Sequence, residues 1–112
     1  MDADQARARL RAEHAEVTGL LKDAELAGEQ DREAEAETGD IADAAQPLTA
    51  QGLDDSVAAS LRERLAVLER ALQRLDDGTW GRSVRSGVPI PAERLEADPA
   101  AELTVEEAAA GT

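Results

Sequence analysis

From Ala58 to Leu75 the apolar positions Ala58, Leu61, Leu65, Leu68, Leu72 and Leu75 recur in alternating steps of three and four residues. A 3.5-residue period on an α-helix draws one stripe, the seam of a coiled coil. Arg62, Glu63, Arg64, Glu69, Arg70, Gln73 and Arg74 fall mostly off that stripe, so the segment reads as an amphipathic helix. Burying a leucine stabilises by about 1.5–3 kcal/mol, so a second helix must cover the seam.

The covering helix lies upstream. From Asp4 to about Thr38 the residues are almost all strong helix formers, interrupted by Gly19 and Gly28, each costing about 1 kcal/mol relative to alanine. Leu10, Val17, Leu21 and Ala24, flanked by Leu20 and Leu26, supply the complementary stripe. Beyond Ala27 the stripe offers only alanine among Glu29, Asp31, Glu33, Glu35 and Glu37, so the far half of this helix is expected to be the more mobile and solvent-rich part. His14 lies beside the stripe and is read as a surface or seam residue without chemistry.

Thr38-Gly39 is a helix stop and Pro47 a second boundary, so residues 39–47 are expected to form the turn of an antiparallel helical hairpin. Such a hairpin buries its own seam, which predicts a monomer rather than a dimer. Residues 48–56 stay open between a frayed helix start and a loop with a new cap at Asp54 or Asp55. The second helix ends at Asp77-Gly78, glycine being the residue that most readily takes the left-handed stop conformation. The fold class is all-α, divided into a hairpin over residues 1–77 and a small segment with a short final helix over 78–112.

Composition narrows this picture. Alanine and leucine dominate the 42% apolar content of the 112 residues, and Trp80 is the sole aromatic, which suits a thin helical seam better than a sheet-packed core. There is no cysteine, hence no disulfide and no thiolate metal site. No apolar run approaches the length of a membrane span, and the acidic start Met1-Asp2-Ala3-Asp4 is unlike a signal peptide, so a cytoplasmic protein is expected. A formal net charge of −13 opposes binding to nucleic-acid phosphates or anionic lipid and favours a basic partner surface. No nucleophile–base pair, phosphate loop or histidine cluster is present, so an enzyme is not expected and no cofactor is implied.

Two motifs then carry a resemblance. Asp40-Ile41-Ala42-Asp43-Ala44-Ala45 places two aspartates and an alanine at the hairpin turn. Asp77-Gly78-Thr79-Trp80-Gly81 leads through Ser83, Ser86-Gly87 and Ile90-Pro91 to Arg94-Leu95-Glu96-Ala97-Asp98-Pro99 and Thr104-Val105-Glu106-Glu107. Together these resemble the DksA/TraR family of transcription factors over roughly residues 4–107. That resemblance implies a hairpin inserted into the secondary channel of RNA polymerase, with Asp40, Asp43 and Ala45 at its effector tip modulating initiation, and no direct sequence-specific DNA contact. An alternative is a coiled-coil adaptor that kept the fold and lost polymerase binding.

The resemblance also implies a structural zinc held by four cysteines, and here this chain departs from the family pattern. Those positions hold Ser83, Ser86, Thr104 and Glu107, an oxygen set without the soft donors zinc selects, so no structural zinc is expected. Trp80, Val84, Val88, Ile90, Leu95, Leu103 and Val105 are the apolar residues left to hold the segment, and the Trp80 indole N–H wants a carbonyl. Thr104 and Glu107 also read as a capping box for a final helix through about Ala109, and Pro91 opens a helical turn that Pro99 ends. Some relatives bind guanosine tetraphosphate through basic residues near this segment. Asp98 and Ala108 cannot pair with a phosphate, so no alarmone response is expected at this site.

Overall fold

The computed structural model describes the backbone of residues 1–38 and 45–110, and the side chains of residues 1–28 and 55–110. Four helices follow in order: α1 (Ala3–Thr38), α2 (Ala45–Asp77), α3 (Ala92–Ala97) and α4 (Val105–Ala110). The fold is all-α, a helical coiled-coil hairpin followed by two short helices. Among the described residues no helix is long and apolar enough to cross a membrane.

α1 begins with a reciprocal cap. The Asp2 carboxylate accepts from the Gln5 backbone N–H at 2.8 Å while the Gln5 side chain accepts from the Asp2 N–H at 3.0 Å, which satisfies two donors a helix start otherwise leaves orphaned. α2 begins at Ala45, so residues 45–47 of the turn expected over 39–47 are helical, and the rest of that turn lies outside the described residues. Pro47 sits in the first turn of α2, where its missing N–H has no intrahelical acceptor to lose. Residues 48–56 are continuous helix, and Asp54 and Asp55 are interior positions rather than caps.

The last turn of α2 closes in a Schellman arrangement. Gly78 adopts φ 80°, its N–H reaches the Leu75 carbonyl at 3.3 Å, and the N–H groups of Thr79 and Trp80 both reach the Arg74 carbonyl at 2.9 and 3.2 Å. A residue with a Cβ is strained at that φ, which is why glycine stands there.

The described residues group into two compact units, Met1–Ala15 with Ala66–Thr112, and Glu16–Leu65. The first of them joins the C-terminal segment with the first residues of α1 and the end of α2. In the first unit the helices run antiparallel: Arg7 pairs with Asp76 at 2.7 Å, and His14 Nε2 lies 3.3 Å from Glu69. Leu10 and Leu68 are its largest fully buried side chains, joined by Ala6, Ala71 and Leu75. The two buried alanines were not singled out in the sequence; small residues there let two helices approach closely. In the second unit Val17 and Ala58 are buried and Arg62 pairs with Glu25 at 2.9 Å, again antiparallel. Leu20 and Leu26, placed at the edge of the stripe, are each about half exposed.

Candidate functional site

The expected effector residues Asp40 and Asp43 lie outside the described residues. Ala45 is the first residue of α2, and its side chain also lies outside the described set. The unit from Glu16 to Leu65 that includes these positions has four basic residues, Lys22, Arg32, Arg62 and Arg64, against thirteen acidic ones. It is the more acidic of the two units.

The C-terminal segment is described in full up to Ala110. Ser83 and Ile90 frame a tight turn: Ser83 N–H donates to the Val88 carbonyl at 2.8 Å, Ile90 N–H to the Gly81 carbonyl at 2.8 Å and Gly87 N–H to the Ser83 carbonyl at 2.9 Å. Arg82 and Pro89 form an isolated antiparallel bridge within it. Gly81 and Gly87 both take positive φ, 91° and 79°. At Gly81 a Cβ would also approach Leu95 Cδ1 to 3.8 Å, so the backbone conformation and not space excludes other residues there.

The Trp80 indole N–H donates to the Pro99 carbonyl at 2.9 Å, the acceptor the sequence called for. Ile90 and Leu95 are buried as expected, and so is Ala100. Val84, Val88 and Val105 are about half exposed, contrary to expectation. The tight turn faces two of them outward, and Val105 begins a helix none of whose residues is buried.

Polar contacts replace the missing apolar ones. Glu102 accepts two hydrogen bonds from Arg70 at 3.0 and 3.1 Å and a longer one from Arg74 at 3.4 Å. The Arg70 hydrogen bonds hold the Glu102 carboxyl below its usual range against the opposing effect of burial. Burial lowers the pKa of Arg74, which Glu102 counteracts, and the Arg74 Nε is buried without a hydrogen bond. Further ties run from Arg9 to the Glu96 carbonyl at 2.6 Å and from Arg94 to the Leu103 carbonyl at 2.7 Å.

Ser83, Ser86, Thr104 and Glu107 come together. Ser83 Oγ accepts from the N–H groups of Arg85 and Ser86 at 3.1 and 3.2 Å. Ser86 Oγ accepts from the Val88 N–H at 3.4 Å. The Thr104 N–H donates to Glu107 Oε1 at 3.0 Å and the Glu107 N–H to Thr104 Oγ1 at 3.2 Å, the capping box read from the sequence. The Ser83 side chain foremost, then the Thr104 backbone N–H and the Ser86 side chain, favour the ionised Glu107 carboxyl and bring its pKa from 4.5 down to about 2. Three hydroxyls and one carboxylate, with no thiolate or imidazole among them, do not fit zinc, which such sites hold by those softer donors. Only the capping half of this cluster was legible in advance.

No family model matches the chain. It is 44% identical over 66 residues to General stress protein 16O of Bacillus subtilis, covering 59% of this chain and 40% of that protein. It is 36% identical over 67 residues to the RNA polymerase-binding transcription factor DksA of Caulobacter vibrioides, covering 60% of this chain and 47% of that one. The matched stretch thus spans less than half the length of each of these relatives. In fold the chain is similar to the transcription factor DksA2 from Pseudomonas aeruginosa, with a TM-score of 0.84, 22% identity and coverage of 96% of this chain and 81% of that one. The chain is thus similar to DksA in sequence over about 60% of its length and to DksA2 in fold over 96% of it, and it contains no cysteine.

Proposed function

We propose that this protein is a non-catalytic, cytoplasmic regulator of transcription that binds RNA polymerase through its secondary channel. Asp40 and Asp43 at the hairpin tip act on initiation there, with Ala45 packing beside them. The observation that carries this reading is the 36% identity to a relative named as an RNA polymerase-binding transcription factor. The excess of acidic residues over residues 16–65 supports it, because a channel that admits nucleotides is electropositive and steers an acidic element inward. No direct contact with specific DNA and no membrane partner enters this reading, and the protein acts as a monomer.

A native-gel or pull-down assay with purified core RNA polymerase tests it. A complex that weakens as salt is raised, and that another secondary-channel factor displaces, is the expected result. The 44% match to a protein named only for general stress favours a second reading, a coiled-coil adaptor. Absence of any complex with polymerase at low salt would select that reading instead.

A further inference from the structure

We propose that the turn from Arg82 to Pro89 is a docking surface for an acidic, partly apolar stretch of a partner protein. Arg82 and Arg85 meet its carboxylates, and Val84 and Val88 meet its apolar side chains. The sign of its charge sets the turn apart. Residues 78–92 contain two arginines and no acidic side chain, whereas the rest of the chain carries all twenty-five aspartates and glutamates.

The turn is firmly built and left uncovered. Ser83 and Ile90 are buried at its two ends, and residues 84–89 between them are all exposed. Every backbone N–H from Ser83 to Val88 is engaged within the protein. Those of Ser83, Val84 and Gly87 reach the carbonyls of Val88, Glu102 and Ser83. Those of Arg85 and Ser86 reach Ser83 Oγ, and that of Val88 reaches Ser86 Oγ. A segment already ordered in this way loses little freedom when a partner arrives.

Single exposed apolar residues are ordinary on a protein surface. Here two valines, 55% and 46% exposed, share one short turn with two arginines, and arginine beside apolar area is the composition of a protein interface. Arg82 gives an N–H to the neutral Gly87 carbonyl, and among the described residues it has no carboxylate partner. The two glutamates bonded to the turn through their carbonyls are Glu102 and Glu107. The carboxylate of Glu102 is taken by Arg70 and Arg74, and that of Glu107 accepts the Thr104 N–H.

The engaged amides also decide between carboxylate and phosphate. Phosphate sites are commonly lined by free backbone N–H groups, and from Ser83 to Val88 the turn has none to offer. A long nucleic-acid backbone would in addition meet the formal charge of −13 on the whole chain. A short acidic stretch of protein meets the turn alone, and its apolar side chains give the valines a partner.

Backbone amide NMR shifts of the full chain test the proposal with three probes: a synthetic peptide of Glu-Glu-Leu repeats, polyglutamate, and a single-stranded oligonucleotide. The Glu-Glu-Leu peptide is expected to shift the amides of residues 82–88 and to half-saturate at about millimolar concentration. Polyglutamate should bind about threefold more weakly or less, for want of apolar contact, and the oligonucleotide should leave the turn unmoved. Arg82→Glu should weaken the peptide by about tenfold. Arg11→Glu, an exposed charge change on α1, should leave its affinity within about twofold. Should Arg82→Glu disturb the turn through its bond to the Gly87 carbonyl, Val84→Ser, at an exposed side chain, is expected to keep the fold and to weaken the peptide about threefold. No shift at about ten millimolar peptide, shifts centred outside the turn, equal affinity for polyglutamate, tighter binding of the oligonucleotide, or unchanged affinity in Val84→Ser would each overturn the proposal.

Discussion

Arg70 on α2 and Glu102, thirty-two residues further along, meet through two hydrogen bonds of 3.0 and 3.1 Å, one from Nη2 and one from Nε. This fork-to-carboxylate geometry is the strong form of an ion pair, and the same carboxylate serves the mostly buried Arg74. Glu102→Ala is expected to destabilise by about 1–3 kcal/mol, chiefly by leaving Arg74 desolvated without its counter-charge. Urea denaturation reads this directly. A loss within about 0.5 kcal/mol would make the pair an ordinary surface contact.

Leu68→Ala is expected to cost about 2–5 kcal/mol, since Leu68 is fully buried between the helices. Leu72→Ala, only partly buried, should cost less, and Leu20→Ala, half exposed, should stay within about 0.5 kcal/mol. Denaturant midpoints of the three variants give the ranking. Equal losses at Leu68 and Leu20 would contradict the seam.

Acid should loosen the C-terminal segment. The Glu107 carboxyl sits at about 2 in the folded chain against 4.5 in the unfolded one. Between those values the unfolded state binds the extra proton, so stability rises with pH there. The contribution is fully present above about pH 4.5 and is lost as pH falls toward 2. Glu102 adds a slope of the same sign, so the informative quantity is the difference between wild type and Glu107→Gln. Urea midpoints measured from pH 5 down to 2 should fall more steeply in wild type. Parallel curves would show that Glu107 is not held as an anion by Ser83, Thr104 and Ser86.

At the tip, Asp40→Asn with Asp43→Asn is expected to leave polymerase affinity within about tenfold, or roughly 1.4 kcal/mol, and to abolish any effect on transcription. Asparagine keeps the shape of aspartate and removes its charge, so a loss of effect without a loss of binding isolates the carboxylates. A purified transcription assay beside a binding assay separates the two. A double variant that still regulates as wild type does would reduce the aspartates to turn residues.

What the sequence disclosed depended on whether a feature had a period or a partner rule. The leucine seam did, and Leu68 and Leu75 are buried where the 3.5-residue spacing put them. Ala6 and Ala71 escaped notice because one alanine among many gives no contrast, although both are fully buried. The capping pair Thr104–Glu107 and the carbonyl partner of Trp80 followed from local rules. The short irregular stretch has no period, which is why Val84, Val88 and Val105 were credited with burial that Ser83 and Thr104 have instead. That two serines some twenty residues upstream would favour the ionised Glu107 carboxyl is a matter of tertiary path, and no spacing encodes it. The effector role proposed for Asp40 and Asp43 rests on the motif alone.

Arg74 is used twice. Its carbonyl takes the N–H groups of Thr79 and Trp80 as α2 ends, and its guanidinium reaches the Ala101 carbonyl and the Glu102 carboxylate within 3.5 Å. The intervening chain thus leaves and returns at one residue, with the Trp80–Pro99 and Arg70–Glu102 bonds beside it, so the entropy of closing the loop is met by contacts gathered around Arg74. The loop should come away as a piece together with the last turn of α2, so that fraying at the helix end and release of the C-terminal segment are one event.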